Sequence, residues 1–465
     1  MPTKPLVLFA SAEFAPLSRV GGLAAAAAGL VGELRRQSID VQVVLADYAA
    51  TPLEDETIEE LDVPEWAGPA TARTGVMAGV GNVTLVDAYG IRRSHPYVQP
   101  DGQGWFDNDR RFFAFSCAIA QLAKQNLPDI LHLNDWHTAS ALGYLAEPPP
   151  SVLTIHTLGY QGQTNRGWLT GFINRPDAFE LHGDCNPLAG GIRTADLVVA
   201  VSPNYAAEIT TPLGGFGLDG LLREKDDRLV GILNGIDDRE WDPATDPHLV
   251  ANYSAADLSG KALNKAAILE RCGLHDWGGP VITMVTRLVH QKGVDLVCAI
   301  APFLSSVGAT LIVLGDGEQG LADAMQETAD QYPQRVSFVR GYDESLAHQL
   351  FAGADVFVMP SRFEPCGLAQ MQAMRYGTLP LVSDVGGLHD TVIDVDADSS
   401  RGTGIVVAGP TAQALTDGLH RIAKAWGQAR RRAAMQRRGM TTDWSWRAPA
   451  AKQIEWYDRL IAERV

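Results

Sequence analysis

The sequence has few cysteines and no long hydrophobic run, and both absences narrow the kinds of protein it can encode. No two of its five cysteines have the Cys-x-x-Cys spacing, which argues against a disulfide or zinc framework and for reduced thiols. They are Cys117, Cys185, Cys272, Cys298 and Cys366. No apolar run approaches about 18 residues, so no transmembrane helix is predicted. The apolar run near the start breaks at Glu13 and Pro16, which favours a buried first strand over a signal peptide, and we expect a cytoplasmic protein.

The sequence also has fewer basic than acidic residues. The chain has 38 Lys and Arg residues against 55 Asp and Glu residues, and its formal net charge is −17. This balance argues against nucleic acid or an anionic membrane surface as a partner. The remaining composition, with 46% hydrophobic and 20% charged residues, is that of an ordinary globular protein.

The pattern that is present is a repeated alternation of short apolar runs with helical segments. A chain of 465 residues is too long for one core, and the series restarts after about residue 255. Buried strands separated by helices favour parallel βαβ units, so we predict an α/β protein with two Rossmann-like doubly wound domains facing a cleft. The predicted domains are residues 1–255 and 256–440, with a C-terminal helix in 441–465 that packs back on the first. The predicted strands are Leu6–Ala10, Val41–Leu45, Val83–Val86, Ile130–Leu133, Val152–Ile155, Leu197–Val201, Leu229–Leu233, Val281–Val285, Thr310–Leu314, Val336–Val339, Val356–Met359, Leu379–Val382 and Gly404–Val407.

In such sheets, ligands bind beyond the carboxyl ends of the strands, so the loops there are the first places to inspect. Arg19 and the pair Gly21-Gly22 follow the first strand and open an alanine-rich helix. Paired glycines before a helix let backbone amides approach an anion, and Arg19 adds a positive charge. A plain structural turn is the alternative.

A second loop, Asp135-Trp136-His137, places three functional side chains after the strand Ile130–Leu133. His132 and His137 are the nearest pair of potential metal ligands, but no third ligand follows at a useful spacing. A buried or capping histidine is the simpler interpretation. We therefore predict no metal site.

Two loops of the second half contain chemistry suited to phosphate. Arg287 and Lys292 set two cations five residues apart after a strand, which suits a diphosphate, although solvated surface charge remains an alternative. Gly315 opens a G-x-G-x-x-G pattern, but the next strand ends in Arg340 and not in the acid that a dinucleotide site requires. A phosphate or ribose contact, or a tight turn, is favoured there.

The segment that begins at Glu364 joins a carboxylate to a bare backbone at the start of a helix. Glu364 can accept hydrogen bonds from sugar hydroxyls, and the free amides of Gly367 and Leu368 can hold an anion. A nucleotide sugar would use both. An acid that only stabilises the helix dipole is the alternative.

Taken together, these motifs resemble those of bacterial glycogen synthases and plant starch synthases, from residue 6 to about residue 446. The resemblance implies that this chain is a retaining glucosyltransferase with the GT-B fold. The matching segments, in order, are Arg19-Val-Gly-Gly-Leu23, Asn134-Asp-Trp-His-Thr138, His156-Thr-Leu-Gly-Tyr-Gln-Gly162, Val201-Ser-Pro-Asn-Tyr-Ala206, Asn234-Gly-Ile-Asp237 with Trp241, Asn264-Lys265, Arg287-Leu-Val-His-Gln-Lys-Gly293, Glu364-Pro-Cys-Gly-Leu368 and Tyr376-Gly-Thr378.

The resemblance implies a role for each matching residue. Arg287 and Lys292 would clamp the diphosphate, Glu364 would hold glucose hydroxyls, and His156 would contact the 6-hydroxyl; Asp135 completes the expected catalytic set. The expected donor-binding residues are Arg19, Gly21, Gly22, Gly315, Cys366, Gly367, Leu368, Gln372, Gly386 and Gly387. The expected acceptor-side residues are Glu13, Trp136, His137, Tyr160 and Gln161. Retention without an enzymic nucleophile suggests front-face attack, and no metal or other cofactor is expected.

This sequence departs from the family pattern at several positions. Arg19 and Ala189 stand where the family has lysine, and Gln372 stands where related transferases have a ribose-binding glutamate. The first expectation is transfer of glucose from ADP-glucose, or another nucleotide-glucose, to an α-1,4-glucan. The alternatives are the same donor with a small hydroxylated acceptor, or a non-catalytic glucan- or nucleotide-binding descendant.

Overall fold

The computed structural model describes residues 4–100 and 102–464, and the chain divides into two compact units. Unit 1 contains the chain up to Gly235 together with the segment from Trp446 onward, and unit 2 is Ile236–Ser445. In the described ranges no helix is long and apolar enough to cross a membrane.

Unit 1 is built on a nine-stranded sheet with a separate two-stranded ribbon. Its strands are β1 (Leu6–Ser11), β2 (Asp40–Ala46), β3 (Glu54–Leu61), β4 (Ala70–Met77), β5 (Gly81–Asp87), β6 (Ile130–Asn134), β7 (Ser151–Ile155), β8 (Glu180–Leu181), β9 (Asp184–Cys185), β10 (Leu197–Ala200) and β11 (Leu229–Gly231). The order in the sheet is β11-β10-β7-β6-β1-β2-β5-β4-β3, and β8 pairs with β9 in the ribbon. The central strands are almost wholly buried, as expected for a parallel sheet covered on both faces.

Helices connect these strands and supply the layers on the sheet. They are α1 (Gly22–Arg36), α2 (Asn108–Asn126), α3 (Trp136–Ala139), α4 (Pro187–Thr194), α5 (Pro203–Glu208) and α6 (Asp219–Glu224). Short 3₁₀ helices lie at Glu65–Ala67, Ser140–Tyr144, Arg166–Gly171, Pro176–Phe179 and Asp226–Arg228.

Unit 2 has a six-stranded parallel sheet. Its strands are β12 (Val281–Leu288), β13 (Thr310–Gly317), β14 (Val336–Arg340), β15 (Val356–Met359), β16 (Leu379–Ser383) and β17 (Ile405–Val407), in the order β14-β13-β12-β15-β16-β17. Its helices are α7 (Ser259–Arg271), α8 (Val294–Ile300), α9 (Gln319–Gln331), α10 (Glu344–Gly353), α11 (Ala369–Arg375), α12 (Gly386–Thr391), α13 (Ala412–Trp426) and α14 (Ala429–Thr441). Its 3₁₀ helices are His290–Lys292 and Ala301–Val307.

The last helix, α15 (Arg447–Ala462), returns the chain to unit 1. Tyr457 on this helix is fully buried, and its hydroxyl hydrogen-bonds Nδ1 of His132 on β6 at 2.5 Å. An added Cβ at Gly29 of α1 would lie 2.0 Å from the Trp446 indole, so the glycine permits this close approach. The predicted segment 441–465 thus contributes one helix to unit 1, and its last residue lies outside the described residues.

The boundary between the units differs from the prediction. The sequence suggested a break near residue 255, whereas residues 236–255 belong to unit 2. The reason is a set of buried polar contacts. The Tyr253 hydroxyl donates to the carbonyls of Ala352 and Tyr376 at 3.2 and 2.8 Å. Asp246 accepts from the Tyr376 hydroxyl at 2.5 Å and hydrogen-bonds His348 Nδ1 at 2.8 Å.

All thirteen predicted strands overlap observed strands, but two antiparallel pairs were missed, β3 with β4 and β8 with β9. Strands β3 and β4 pair antiparallel and extend the sheet of unit 1 at one edge. Seven of the eight residues of β3 are exposed, and its sequence, EDETIEEL, is strongly acidic. An edge strand without a buried face lacks the alternation that marks a strand, and its charges protect the free edge from further pairing.

Candidate active site

Each sheet has a topological switch point, where the strand order reverses direction, and predicted site residues lie at both. In unit 1, β1 lies between β2 and β6, with Glu13 following β1 and Asp135 following β6. In unit 2, β12 lies between β13 and β15, with Lys292 following β12 and Glu364 following β15. Open α/β sheets bind ligands at such points. We call Glu13, Asp135 and His156 the unit 1 cluster, and Arg287, Lys292 and Glu364 the unit 2 cluster.

Glu13 organises the loop that precedes α1. Its Oε2 accepts hydrogen bonds from the amides of Val20 and Gly21, both at 2.8 Å, and its Oε1 accepts one from the Tyr97 hydroxyl at 2.8 Å. The carboxylate is buried, so these three donors replace its hydration. An added Cβ at Gly21 or Gly22 would meet no atom within 4 Å, which leaves the backbone there open to approach. Arg19, in the same loop, is exposed.

Asp135 has a backbone that few non-glycine residues adopt, with φ of 54°. Its Oδ1 accepts hydrogen bonds from the backbone amides of His156 and Thr157 at 2.7 and 3.4 Å. Burial raises the pKa of Asp135 to about 7, against the effect of these donors and with a smaller contribution from Glu13. The strained backbone aims a carboxylate with a perturbed pKa at the loop that contains His156, which is typical of a functional site.

His156 is held as a neutral imidazole. Its Nε2 lies 2.9 Å from Oδ1 of Asn134, whose amide nitrogen donates to the Ala10 carbonyl at 2.9 Å. Because Asn134 Oδ1 can only accept, the proton of His156 is on Nε2, and Nδ1 is an acceptor. Burial lowers the pKa of His156 to about 3, so the ring is uncharged near neutral pH. A neutral acceptor of this kind suits a hydroxyl ligand.

The expected acceptor-side residues differ in what they can contact. His137 is buried, its ring lies 4.3 Å from Trp136 and 4.9 Å from Tyr97, and burial lowers its pKa to about 3. Tyr160 is 65% exposed. The Gln161 side chain is engaged, because it donates to the Phe216 carbonyl at 2.9 Å and accepts from Asn186 at 2.8 Å. Tyr160 and the partly exposed Trp136 are therefore accessible to a ligand, whereas His137 and Gln161 support the structure around them.

In the unit 2 cluster, two of the three charged groups pair with each other. Lys292 Nζ lies 2.5 Å from Glu364 Oε2, and the Ser361 hydroxyl donates to the same oxygen at 3.0 Å. Arg287 is exposed, and among the described residues its guanidinium has no hydrogen-bond or ion-pair partner. The cluster therefore has one unpaired cation and one ion pair that a substrate with a diphosphate and hydroxyls could replace.

Gly367 lies in the turn that follows Glu364. Its φ is 72°, and α11 begins at Ala369 with Leu368 as its N-cap. The side-chain amide of Gln370 donates to the carbonyls of Cys366 and Gly367 at 3.1 and 3.0 Å, and these hydrogen bonds stabilise the turn.

The paired glycines after β16 complete this region. The Gly387 amide donates to the Glu364 carbonyl at 3.0 Å. An added Cβ at Gly387 would lie 2.1 Å from the Cys366 carbonyl oxygen, so only glycine allows α12 to begin against this turn. Gly386 has φ of 43°. Gln372, on α11, is partly exposed.

Gly315 has a structural explanation. Its added Cβ would lie 2.0 Å from the Thr286 carbonyl, and that of Gly317 would lie 2.4 Å from the Leu288 carbonyl. Both glycines let β13 run close beside β12. Arg340, at the end of β14, pairs with Asp316 at 3.1 Å. Strand packing thus accounts for the first two glycines of the G-x-G-x-x-G pattern, and Arg340 stands where a dinucleotide site requires an acid.

Within the described ranges, one group of side chains has the spacing of a metal site. Ligand atoms of Glu240, Glu344 and His348 lie within 4.8 Å of one another. None of these residues belongs to the unit 1 or unit 2 cluster, and Nδ1 of His348 is bound to Asp246 at 2.8 Å. That neither cluster requires a metal stays a prediction.

Four supporting residues were missed by the sequence analysis: Tyr97, Asn134, Ser361 and Gln370. Asn134 is the first residue of a recognised motif, and Gln370 lies two residues after another, so both positions could have been noticed from the sequence. Tyr97 is 84 residues from Glu13, so only the fold brings them together.

Comparison with known proteins agrees with this geometry. Residues 6–224 match the family model "Starch synthase catalytic domain", and residues 273–440 match "Glycosyl transferases group 1". The chain is 42% identical to "Glycogen synthase" of Halorhodospira halophila over 98% of this chain and 99% of that protein. The chain belongs to the glycogen and starch synthase family of glycosyltransferases. The family predicted from the motifs is confirmed, as is the prediction of an enzyme.

Other members of the glycogen and starch synthase family, and one more distant structure, support the assignment. "Glycogen synthase" of Thioalkalivibrio sulfidiphilus is 42% identical over 98% of this chain and all of that protein. The catalytic domain of starch synthase IV from Arabidopsis thaliana, solved with ADP and acarbose, is 30% identical with a TM-score of 0.89, covering 99% of this chain and 100% of that one. Sucrose-phosphate synthase from Thermosynechococcus elongatus, 19% identical with a TM-score of 0.65 and coverage of 99% and 100%, shares the fold. The predicted GT-B fold class is confirmed.

Cys366 gives a first testable prediction. The residue is buried, and its backbone lies against Gly387. We expect Cys366→Ser to keep most of the transferase activity, because serine fits the same space and leaves the turn unchanged. Steady-state kinetics of the variant tests this. A glycosyl adduct trapped on Cys366 would instead show that the thiol is a nucleophile.

Asp135 gives a prediction for the pH dependence of stability. Its pKa is about 7 in the folded protein and 3.8 when unperturbed, so the folded state retains a proton that the unfolded chain has lost between these values. The stability from this proton is fully present below about pH 4 and is lost as the pH rises through about 7, by up to about 4 kcal/mol. In urea unfolding, the free energy of unfolding should decrease less between pH 5 and pH 8 for Asp135→Asn than for the original protein. Equal decreases would contradict the raised pKa.

Proposed function

We propose that this protein transfers glucose from ADP-glucose, with retention of configuration, to the 4-hydroxyl at the end of an α-1,4-glucan. The observation that carries the proposal is the unit 2 cluster, where two cations, a buried carboxylate and a glycine-rich turn meet at the switch point of the sheet. The identity to glycogen synthases supports a glucan acceptor, and the starch synthase solved with ADP supports an adenine nucleotide.

In the proposed reaction, the bond between the anomeric carbon and the diphosphate oxygen breaks, and a bond from that carbon to the acceptor oxygen forms on the same face. Arg287 and Lys292 bind the diphosphate and stabilise the charge that develops as ADP leaves. Lys292 exchanges Glu364 for phosphate, and Glu364 then accepts hydrogen bonds from glucose hydroxyls. The acceptor hydroxyl gives its proton to the departing phosphate, so no enzymic nucleophile is required.

The unit 1 cluster has supporting roles in this proposal. His156 accepts a hydrogen bond from the glucose 6-hydroxyl through Nδ1, which its bond to Asn134 leaves as the acceptor. Asp135 fixes the His156 backbone through the 2.7 Å hydrogen bond to its amide. Glu13 holds the loop with Gly21, whose amide it accepts.

The test is an assay of ADP and UDP release from the two nucleotide glucoses, with glycogen, maltose-series sugars or small hydroxylated compounds as acceptors. Release of ADP that glycogen stimulates, with an α-1,4-linked product by NMR, supports the proposal. Ala189, fully buried in α4, stands where the family resemblance implies a lysine, and this lost charge is the reason to include small acceptors. Release stimulated only by a small acceptor would establish that alternative, and no release with any acceptor would favour a non-catalytic protein.

A further inference from the structure

Two loops of unit 2, one containing Lys292 and the other Glu364, are joined by more than the ion pair between those residues. Arg362, two residues before Glu364, makes a two-pronged contact with Asp295 in the first turn of α8. Its two terminal nitrogens donate to the two carboxylate oxygens at 2.8 and 2.7 Å. We call this contact the Arg362–Asp295 fork.

Further hydrogen bonds surround the fork. Arg362 also donates to the His290 carbonyl at 2.8 Å, and its backbone amide donates to the Gln291 carbonyl at 2.8 Å. The Gln291 side chain donates to the Phe363 carbonyl at 3.0 Å. Five hydrogen bonds that do not involve Lys292 or Glu364 therefore join segment 290–295 to segment 361–364.

The fork is electrostatically strong for a contact near the surface. Hydrogen bonding to Arg362 lowers the pKa of Asp295, and the pKa of Arg362 is raised in turn. A planar fork meeting a carboxylate fixes orientation as well as distance, which a single contact does not. Asp295 lies in the first turn of a helix, where a negative charge is also favoured.

This arrangement matters when a substrate binds. In the proposed function, on which this inference rests, Lys292 leaves Glu364 to bind phosphate and Glu364 turns to sugar hydroxyls. The ion pair that joins the two loops is then lost. We propose that Arg362 and Asp295 are positioning residues that hold Lys292 and Glu364 in register after their own ion pair has opened.

The test is a double-mutant cycle with Arg362→Gln, Asp295→Asn and the double variant. Each single change should lower kcat about 10- to 100-fold, as expected when catalytic groups are misplaced by about 1 Å, while KM for the glucan stays unchanged. The double variant should be no worse than either single one, because both remove the same contact. Arg362→Lys keeps the charge but not the fork, and it should restore only part of kcat.

A matched control comes from the same unit. Arg271 pairs with Asp343 at 2.6 Å, with side chains 41% and 38% exposed, against 24% and 41% for Arg362 and Asp295. Arg271→Gln should lower the melting temperature about as much as Arg362→Gln does, and it should leave kcat unchanged. If kcat of Arg362→Gln lies within about twofold of the original value, or falls no further than in the control, the positioning role is wrong.

A second readout separates this inference from the proposed function. Hydrogen exchange of the backbone amides requires no activity, and Arg362→Gln should accelerate it in peptides covering 287–295 and 360–368 but not in the control variant. Should the original protein transfer no glucose, the proposed function fails, and exchange decides the inference alone. Unchanged exchange in both peptides of Arg362→Gln would then overturn the positioning role, and faster exchange would support it.

Discussion

Replacing Lys292 with alanine is expected to lower kcat about 100- to 1000-fold, which corresponds to about 2.7–4 kcal/mol of transition-state stabilisation. In the proposed reaction this ammonium neutralises charge on the departing diphosphate. Arg287 is five residues away, near the end of β12, and cannot compensate, because its fork and the lysine's point charge occupy different places. Steady-state kinetics with ADP-glucose and glycogen measures the loss.

A stability control makes this result interpretable. Removing Lys292 leaves Glu364 with the Ser361 hydroxyl as a partner. The free energy of unfolding should therefore fall by only about 1–3 kcal/mol. Lys265 provides the comparison, because it pairs with Asp355 at 3.0 Å and both pairs are similarly buried, with side chains 16% and 11% exposed against 16% and 6%. Lys265→Ala should lose comparable stability and keep its kcat. Near-normal kcat in a folded Lys292→Ala protein would remove Lys292 from the mechanism.

The sequence predicted the strands well because parallel strands buried on both faces leave continuous apolar runs. The stretches around β1 and β15 could be recognised without any tertiary information. The acidic strand β3 could not, since it pairs at a sheet edge and buries almost nothing. The domain boundary was misplaced for a related reason. Residues 236–255 contain no strong strand, and their assignment to unit 2 depends on contacts such as that of Tyr253 with Tyr376, 123 residues away.

The candidate site shows the same division between local and long-range information. Glu364 and the turn at Gly367 could be placed from sequence, because a carboxylate followed by proline and glycine at a helix start is a local pattern. The supporting contacts of Tyr97 and Arg362 depend on loops that the fold brings together. Gly315 shows that a local pattern can have a structural origin, since the close approach of β12 and β13 explains why glycine stands there.

Gly387 connects this packing to the proposed chemistry. An alanine Cβ there would lie 2.1 Å from the carbonyl oxygen and 2.5 Å from the Cα of Cys366. Both atoms belong to the backbone, so no side chain can turn aside to make room. Either α12 or the turn at Cys366 and Gly367 must move, and the turn is also bound to Gly387 through the amide that donates to the Glu364 carbonyl at 3.0 Å.

We therefore expect Gly387→Ala to reduce the free energy of unfolding by about 3 kcal/mol or more, at the upper end of the cost of overpacking. A turn displaced by about 1 Å should also lower kcat about 100-fold in the protein that remains folded. Gly320, in α9, is the matched control, because an added Cβ there meets nothing within 4 Å. Gly320→Ala should be neutral or stabilising by up to about 1 kcal/mol, since alanine favours a helix over glycine. Urea unfolding and kinetics on both variants test this, and a Gly387→Ala protein with unchanged stability and kcat would show that the turn at Cys366 does not need its observed position for catalysis.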